Sequence, residues 1–416
     1  MNIIWFSEIK WDYLKTRKQQ ILSRFPESSS IYFFEPISKA LPNHYSSRNF
    51  DHVKAVTIPQ IRTVSGVIIN LLLSFSFIRT IINALAGLWF KIYFSRKVDT
   101  TDIIITSNVF WAKTIRRLKE NNPNIPIIYD CNDNPLAFPG SPEYTKYYFL
   151  ETLNLADKII IPHTSYINFI PENFRSEVGI IANGVDYELF QKSVTTPQTL
   201  KNFKKPIIMY IGAISEWFNF QLIKAAAKKT GYNFLLVGPI STGVEVEMSL
   251  LKSIENIFHV PSIPHMEIPN YLSKADVCII PFIKNKLTES VLPNKLFEYA
   301  AAGKTCVMTN FNPSLSEFSE YVSIASDTDK FIVEIVNQVN KPRSSDFMKE
   351  LAKNYDWRIL SSIYYEFINS ILKNDKPRKV IVYSRDELKQ YDMARKIKND
   401  KVKFIIGDVR DLQRLL

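Results

Sequence analysis

An α/β fold of two doubly wound, Rossmann-like domains facing each other across a cleft, with a short βαβ-like tail, is what the sequence predicts, and three observations predict it. Short, continuous apolar runs alternate with helix-length polar or amphipathic segments, the pattern of buried parallel strands joined by helices. That alternation stops at a polar, lysine-rich stretch, "TTPQTLKNFKKP", and then begins again. Length agrees: 416 residues exceed one ordinary core, and roughly 150 residues per domain gives about two or three units.

The runs "NIIWF", "SIYFF", "DIIIT", "IPIIYD", "KIIIP" and "VGIIA" place the first domain over residues 1–190. The runs "PIIMYIG", "NFLLVGP", "NIFHVP", "VCIIP" and "KTCVMT" place the second over residues 191–372, and residues 373–416 form the tail. Ligands of open α/β sheets bind beyond the carboxyl ends of the strands, so the chemistry is expected on post-strand turns. Hydrophobic residues at 46% and charged residues at 22% exclude disordered and collagen-like classes. A net charge of +11 favours a polyanionic partner: nucleic acid, an anionic lipid surface or a phosphate-bearing small molecule. The basic residues form no stripe interleaved with aromatics, so nucleic acid is not the expected partner. Cys131, Cys278 and Cys306 are odd in number and lie among apolar neighbours, which fits reduced core thiols and a cytoplasmic location. "MNIIWFSEIKW" reads as a first strand rather than a leader.

The segment "PNKLFEYAAAGKT", residues 293–305, reads as a short, firmly delimited helix. Proline suits a first helical turn, and Gly303 suits the left-handed position that ends one. Lys295 and Glu298 stand three apart and share a face near its start. Free N–H groups beside a cation make an anion site, and a carboxylate one turn on can accept hydrogen bonds from sugar hydroxyls. The alternative is a solvated Lys–Glu pair.

Asp130 and Asp133, in "YDCNDNPLAF", follow the strand "IPIIY". Either could deprotonate a substrate hydroxyl if burial lifts its pKa, and either could cap the turn; Asp133 reads as the catalytic base and Asp130 more as a cap. His163 and His265 fall on strand-exit loops, where a lone histidine is more often structural. No His/Cys cluster has zinc spacing and no carboxylate triplet suits a divalent ion, so neither metal nor cofactor is expected.

"PNKLFEYAAAGKTCVMTN", preceded by "EIPNYLSKADVCIIPF", resembles the donor-nucleotide segment of GT-B glycosyltransferases of the group 1 (family 4-like) superfamily. "IIANGVDYELF", "IMYIGAISEWFNFQLI" and "FLLVGPI" resemble the junction and second-domain start of the same proteins, so the resemblance runs over about residues 1–372. It implies a glycosyltransferase, hexosyltransferase-like, with Lys295 on the diphosphate and Glu298 on the ribose. Asn294, Gly212, Glu216 and Trp217 fall where the donor would approach. The "YDCNDNPLAF" turn and "WDYLKTRKQQ" resemble motifs of a subgroup that builds bacterial surface polysaccharides, which puts Asp130, Trp11 and Arg17 on the acceptor side; His163, on the loop after "KIIIP", is a weaker acceptor-side candidate by position alone. Two departures stand out. "AISEWFN" after Gly212 lacks the basic pair that grips the diphosphate in many relatives, and Ser290, with Glu289 beside it, stands where many carry the first of two glutamates, leaving retention of configuration open.

Residues 64–94 are the most apolar part of the chain, but Asn70, Arg79 and Asn83 interrupt them. They read as two consecutive helices rather than a bilayer span, with Arg62, Arg79, Lys91, Arg96, Lys97, Trp89 and Phe90 suited to an anionic membrane surface; burial in the domain or a dimer is the alternative. The tail, "KPRKVIVYSRDELKQYDMARKI" and "VKFIIGDVRDLQRLL", resembles a fragment of a nucleotide-sugar 4,6-dehydratase of the extended short-chain dehydrogenase family. It lacks that family's glycine-rich phosphate loop, and Tyr391 is followed by Arg395 rather than lysine, so the tail is expected to be catalytically silent. The expected activity is transfer from a nucleotide sugar to a lipid-linked or growing glycan, at the cytoplasmic face of the membrane. A silent nucleotide-sugar-binding module and a nucleotide-sugar epimerase are the alternatives.

Overall fold

The computed structural model describes residues 1–13, 15–38, 41–58, 60, 67–98, 100–138, 141–373, 380–384 and 402–406. The chain divides into two compact units, residues 1–364 and 365–416.

Isoleucine-rich runs buried on both faces build the first sheet. Its strands are β1 (Asn2–Phe6), β2 (Ser30–Pro36), β3 (Arg48–Phe50), β4 (Val53–Ile58), β5 (Ile103–Thr106), β6 (Ile127–Asp130), β7 (Lys158–Ile161) and β8 (Val178–Ile180). They lie in the order β3-β4-β2-β1-β5-β6-β7-β8. Pairing is parallel throughout except for the β3–β4 hairpin. The hairpin is absent from the sequence reading, because Lys54 and Thr57 interrupt the apolar run of β4 and Asp51 takes the positive φ of its turn. Side chains on the two sides of the sheet form separate cores, one around Phe6, Phe34 and Trp111 and the other around Phe110, Tyr129 and Phe149.

The second sheet comprises β9 (Ile207–Ile211), β10 (Asn233–Val237), β11 (Ile257–Val260), β12 (Val277–Ile280), β13 (Cys306–Thr309) and β14 (Val322–Ala325). All pair in parallel, in the order β11-β10-β9-β12-β13-β14. Of these only β14, the short edge run "VSIA", escapes the sequence reading. Cys278 and Cys306 sit opposite each other on β12 and β13, and all three cysteines are free and buried.

Strand order reverses beside β1 in the first sheet and beside β9 in the second. Diverging helices leave a crevice at such a point, at the carboxyl ends of the strands. The two sheets join at Gly184–Val185, where Val185 forms an isolated parallel bridge with Asp356. The Val185 N–H donates to the Tyr355 carbonyl at 2.9 Å, and the Trp357 N–H donates back to Val185 at 2.9 Å. The following helix, Trp357–Leu372, returns to the first sheet, where Ser361 Oγ donates to the Ile21 carbonyl at 2.8 Å.

Residues Val67–Ser74 and Ser76–Val98 form the two consecutive helices expected of the apolar stretch. Among the described residues no helix is long and apolar enough to cross a membrane. Arg62 and the side chains of Arg96 and Lys97 lie outside the described residues. In the second unit β15 (Val380–Ser384) pairs in parallel with β16 (Val402–Ile406). The expected helix between them, with Tyr391 and Arg395, lies outside the described residues.

The junction tolerates no side chain at Gly184, since a Cβ there would stand 2.3 Å from the Tyr355 carbonyl oxygen and 2.5 Å from Leu360 Cδ1. Gly184→Ala should destabilise the protein by about 1–3 kcal/mol, read as a lowered midpoint in urea unfolding; an unchanged midpoint would show that the junction yields freely.

Candidate active site

Residues Asn294–Ala301 form a helix between β12 and β13. Pro293 precedes its first turn, and Gly303 stands just past its end at φ +67°. Lys295 reaches from this helix over the end of β9. Gly212 makes the room: a Cβ there would fall 2.2 Å from Lys295 Cε and 2.5 Å from Nζ. Gly238, at the end of β10, does the same for Gly212, whose carbonyl oxygen a Cβ would meet at 2.1 Å. Both glycines hold φ +144°, where other residues are strained.

The ammonium group lies over two aromatic faces, 5.4 Å from the Tyr210 centroid and 5.6 Å from that of Phe282. No carboxylate pairs with it directly among the described residues. Burial lowers its pKa, and the charge of Glu298 partly offsets this. Such a cation is stabilised by an arriving anion. Asn294 Oδ1, beside it, is buried with no hydrogen-bond partner.

Glu298 faces His265, with Nε2 3.3 Å from Oε1. Burial works to lower the His265 pKa, but the hydrogen bond and charge of Glu298, with the charge of Asp186, raise it above its ordinary value. His265 is therefore attached to the helix bearing Lys295, not isolated on a strand exit. Glu216 is exposed and accepts from Ser215 Oγ. Trp217 packs against the second domain's core, and its carbonyl accepts from the Ile283 N–H at 2.8 Å. These contacts put Glu216 at the site's edge and give Trp217 a packing role.

Across the cleft, the end of β6 carries Asp130, fully buried, with Oδ1 3.4 Å from Arg17 Nε. Burial raises the Asp130 pKa while Arg17 and Lys18 oppose the rise. Arg17 also donates to the Ala182 carbonyl at 2.6 Å. Asp133 differs: the residue is exposed on its turn, yet protein crowds its carboxyl. Withdrawal from bulk water, with the charge of Glu8, lifts its pKa to about 7 against an opposing pull from Lys18. The cap expected of Asp130 belongs instead to Asn134, whose Oδ1 accepts from the Leu136 N–H at 3.0 Å.

Glu8 and Lys18 are additions that the sequence reading missed. Glu8 follows β1 and pairs with the buried Lys18. The signal was available, since Glu8 stands at the carboxyl end of the strand beside which the order reverses. Two cations thus face two carboxylates, leaving Asp133 as the carboxyl without a cation of its own.

Trp11 and His163 have structural partners. Trp11 packs on Phe33 and Phe50, with ring centroids 5.0 and 5.9 Å away. Buried His163 pairs through Nε2 with Glu317 of the second domain, and its Nδ1 lies 2.8 Å from Ser165 Oγ. Ser165 Oγ in turn donates to the Ser290 carbonyl at 2.9 Å, and Asn183 Nδ2 donates to the Leu292 carbonyl at 3.2 Å. The first domain therefore holds the loop that leads into the helix bearing Lys295. Among the described residues, no three His, Cys, Asp or Glu side chains converge as metal ligands.

Two Rossmann-like sheets, each reversing order beside its first strand, with sites at facing carboxyl ends, define the GT-B class. Solved structures share the fold. Sucrose-phosphate synthase from Thermosynechococcus elongatus superposes with TM-score 0.70 at 13% identity, over 90% of this chain and 100% of that one. HepE of Anabaena in complex with UDP gives 0.61 at 14%, over 89% and 100%. A trehalose-6-phosphate protein from E. coli bound with UDP-2-fluoro glucose gives 0.65 at 10%, over 88% and 99%. Residues 205–340, which contain the whole second sheet, match the family model described as glycosyl transferases group 1.

TuaH of Bacillus subtilis (strain 168), named for a glycosyltransferase role in teichuronic acid biosynthesis, is 28% identical over 257 residues, which are 56% of this chain and 64% of that protein. The chain thus spans just under two thirds of that relative. Residues 361–416 match a family model described as polysaccharide biosynthesis protein. Within the tail, 45 residues are 51% identical to the inverting UDP-N-acetylglucosamine 4,6-dehydratase of Campylobacter jejuni (strain 81-176), covering 11% of this chain and 14% of that enzyme. The tail resembles only a fragment of it.

The Asp133 carboxyl gives a pH-linked prediction. Its folded pKa, about 7, lies above the unfolded value, so its protonated form contributes stability that is full below about pH 4 and lost as pH rises through about 7. Asp133→Asn should match the wild type near pH 4 and exceed it by about 1 kcal/mol at pH 8, a figure reduced for the carboxyl's contact with solvent. Equal unfolding midpoints at both pH values would show that the group is not perturbed.

Proposed function

We propose that this protein moves a sugar, a hexose, from a nucleotide diphosphate sugar to a hydroxyl of a lipid-linked or growing surface glycan, working at the cytoplasmic face of the membrane as a peripheral protein. The observation that carries this reading is Lys295: a desolvated cation without a direct carboxylate partner, held over the end of β9 at the start of a helix. Diphosphate supplies the missing negative charge, and the helix N-terminus adds N–H donors. Glu298, held by His265, is one turn away for the ribose hydroxyls. With no arginine or lysine in "AISEWFN" after Gly212, Lys295 carries the diphosphate without the basic pair.

Asp133 acts as the base, with a pKa near working pH so that it is ionised before transfer and takes a proton readily. As the acceptor oxygen bonds to the anomeric carbon, its proton passes to Asp133 and the bond from that carbon to the diphosphate oxygen breaks. The leaving charge is received at Lys295. Glu8 keeps Lys18 occupied and Arg17 faces Asp130, so neither cation holds Asp133 permanently ionised. The chemistry needs no metal in this scheme. The tail takes no part in it.

A thermal-shift and calorimetric screen against UDP, GDP, CDP and ADP should find one diphosphate that binds selectively. Lys295→Ala should weaken it about 30-fold, equivalent to roughly 2 kcal/mol. A folded sample that binds none of them would refute the donor site. Binding without transfer to any acceptor would favour the silent binding module.

Glu8→Gln tests the base. Removing that charge and freeing Lys18 should lower the Asp133 pKa and move the acidic limb of the kcat/KM profile to lower pH. An unmoved limb would take Glu8 and Asp133 out of the proton transfer.

A further inference from the structure

The helices Val67–Ser74 and Ser76–Val98 are apolar on the face they bury and on the face they expose. Leu73, Ala86, Phe90 and Phe94 pack into the first domain, and Asn83 Nδ2 donates to the Tyr148 hydroxyl at 3.0 Å. Leu71, Phe75, Phe77, Ile81, Leu85 and Leu88 point the other way, each half exposed or more. A helix apolar all round needs a second apolar phase, and an exposed apolar patch of this kind marks an interaction surface.

The corner between the helices is fixed. Arg79 donates to the carbonyls of Leu73 and Ser74, at 2.5 and 2.7 Å, and its guanidinium lies 4.5 Å from the Tyr144 ring centroid. The outward side chains are therefore presented by a rigid element.

Charge identifies the occupant. From His52 to Val98 the chain contains no aspartate or glutamate, against six cations: Lys54, Arg62, Arg79, Lys91, Arg96 and Lys97. Two copies meeting through this segment would set one net positive stretch against another, with no carboxylate of its own to relieve it. An anionic bilayer matches both properties, taking the apolar side chains into the acyl boundary, meeting exposed Lys91 with its headgroups and suiting the net positive charge of the segment. We infer that the outward face of this helix pair is a docking surface for an anionic membrane, lying in the interface without crossing it. The inference deepens the peripheral location proposed above and rests on that part of the reading alone.

Flotation of the full chain with vesicles tests it, alongside the diphosphate thermal shift. The protein should float with phosphatidylglycerol–phosphatidylcholine vesicles and at least tenfold less with phosphatidylcholine alone, and added salt should weaken but not abolish flotation. Ile81→Glu combined with Leu85→Glu should reduce flotation roughly tenfold or more, while the melting temperature and the diphosphate shift stay unchanged because both side chains are exposed. Equal flotation on neutral vesicles, or flotation undiminished in the double variant, would overturn the inference. A wild-type protein that shifts with diphosphate but never floats would overturn it and leave the donor site standing. A dimer by light scattering that the double variant abolishes, without flotation of the wild type, would assign the face to self-association instead.

Discussion

Strands buried on both faces leave a protein nowhere but their ends for polar chemistry. Ile3, Ile4, Trp5 and Phe6 of β1, and every residue of β12, are sealed by side chains above and below the sheet. Charged groups that serve a ligand must therefore stand on the turns beyond the carboxyl ends. Among those turns, only the ones beside a reversal in strand order open into a crevice. Gly212 and Lys295 stand at one such place, and Glu8 at the other.

The two halves of the cleft then solve opposite electrostatic problems. In the second domain a cation has lost its water and retains aromatic faces and a distant carboxylate in exchange. In the first, at the ends of β1 and β6, carboxylates outnumber the cations by one, and the excess group is the exposed one. A deficit of negative charge faces a deficit of positive charge. An anion seated at Lys295 relieves the first, and a proton delivered to Asp133 relieves the second.

Local signals made the architecture readable. The continuous apolar runs, the punctuation at Pro293 and Gly303, and the polar break before β9 each have short-range causes. What escaped has a physical reason too. The hairpin of β3 and β4 carries Lys54 and Thr57 within an edge pattern that apolar runs do not reveal. Glu8 and Lys18 meet only through tertiary contact, and so do His265 with Glu298 and His163 with Glu317. The function of Asn134 in the turn after β6 depends on which of three neighbouring polar side chains reaches the Leu136 N–H, a choice that spacing leaves open. Periodicity reports which face is buried. It cannot report which polar groups meet across a cleft.

The loop before the helix that bears Lys295 is gripped from the opposite domain. Ser165 holds the Ser290 carbonyl and Asn183 holds that of Leu292, two residues short of Asn294. Main-chain oxygens, unlike side-chain tips, cannot swing aside without rotating the peptide itself. Any rocking of one domain on the other is thus passed along the backbone to the first turn of the helix that bears Lys295. The reach of that lysine and the opening of the cleft are thereby tied to one stretch of backbone, so that the cation of one domain and the carboxylates of the other are geared together rather than set independently.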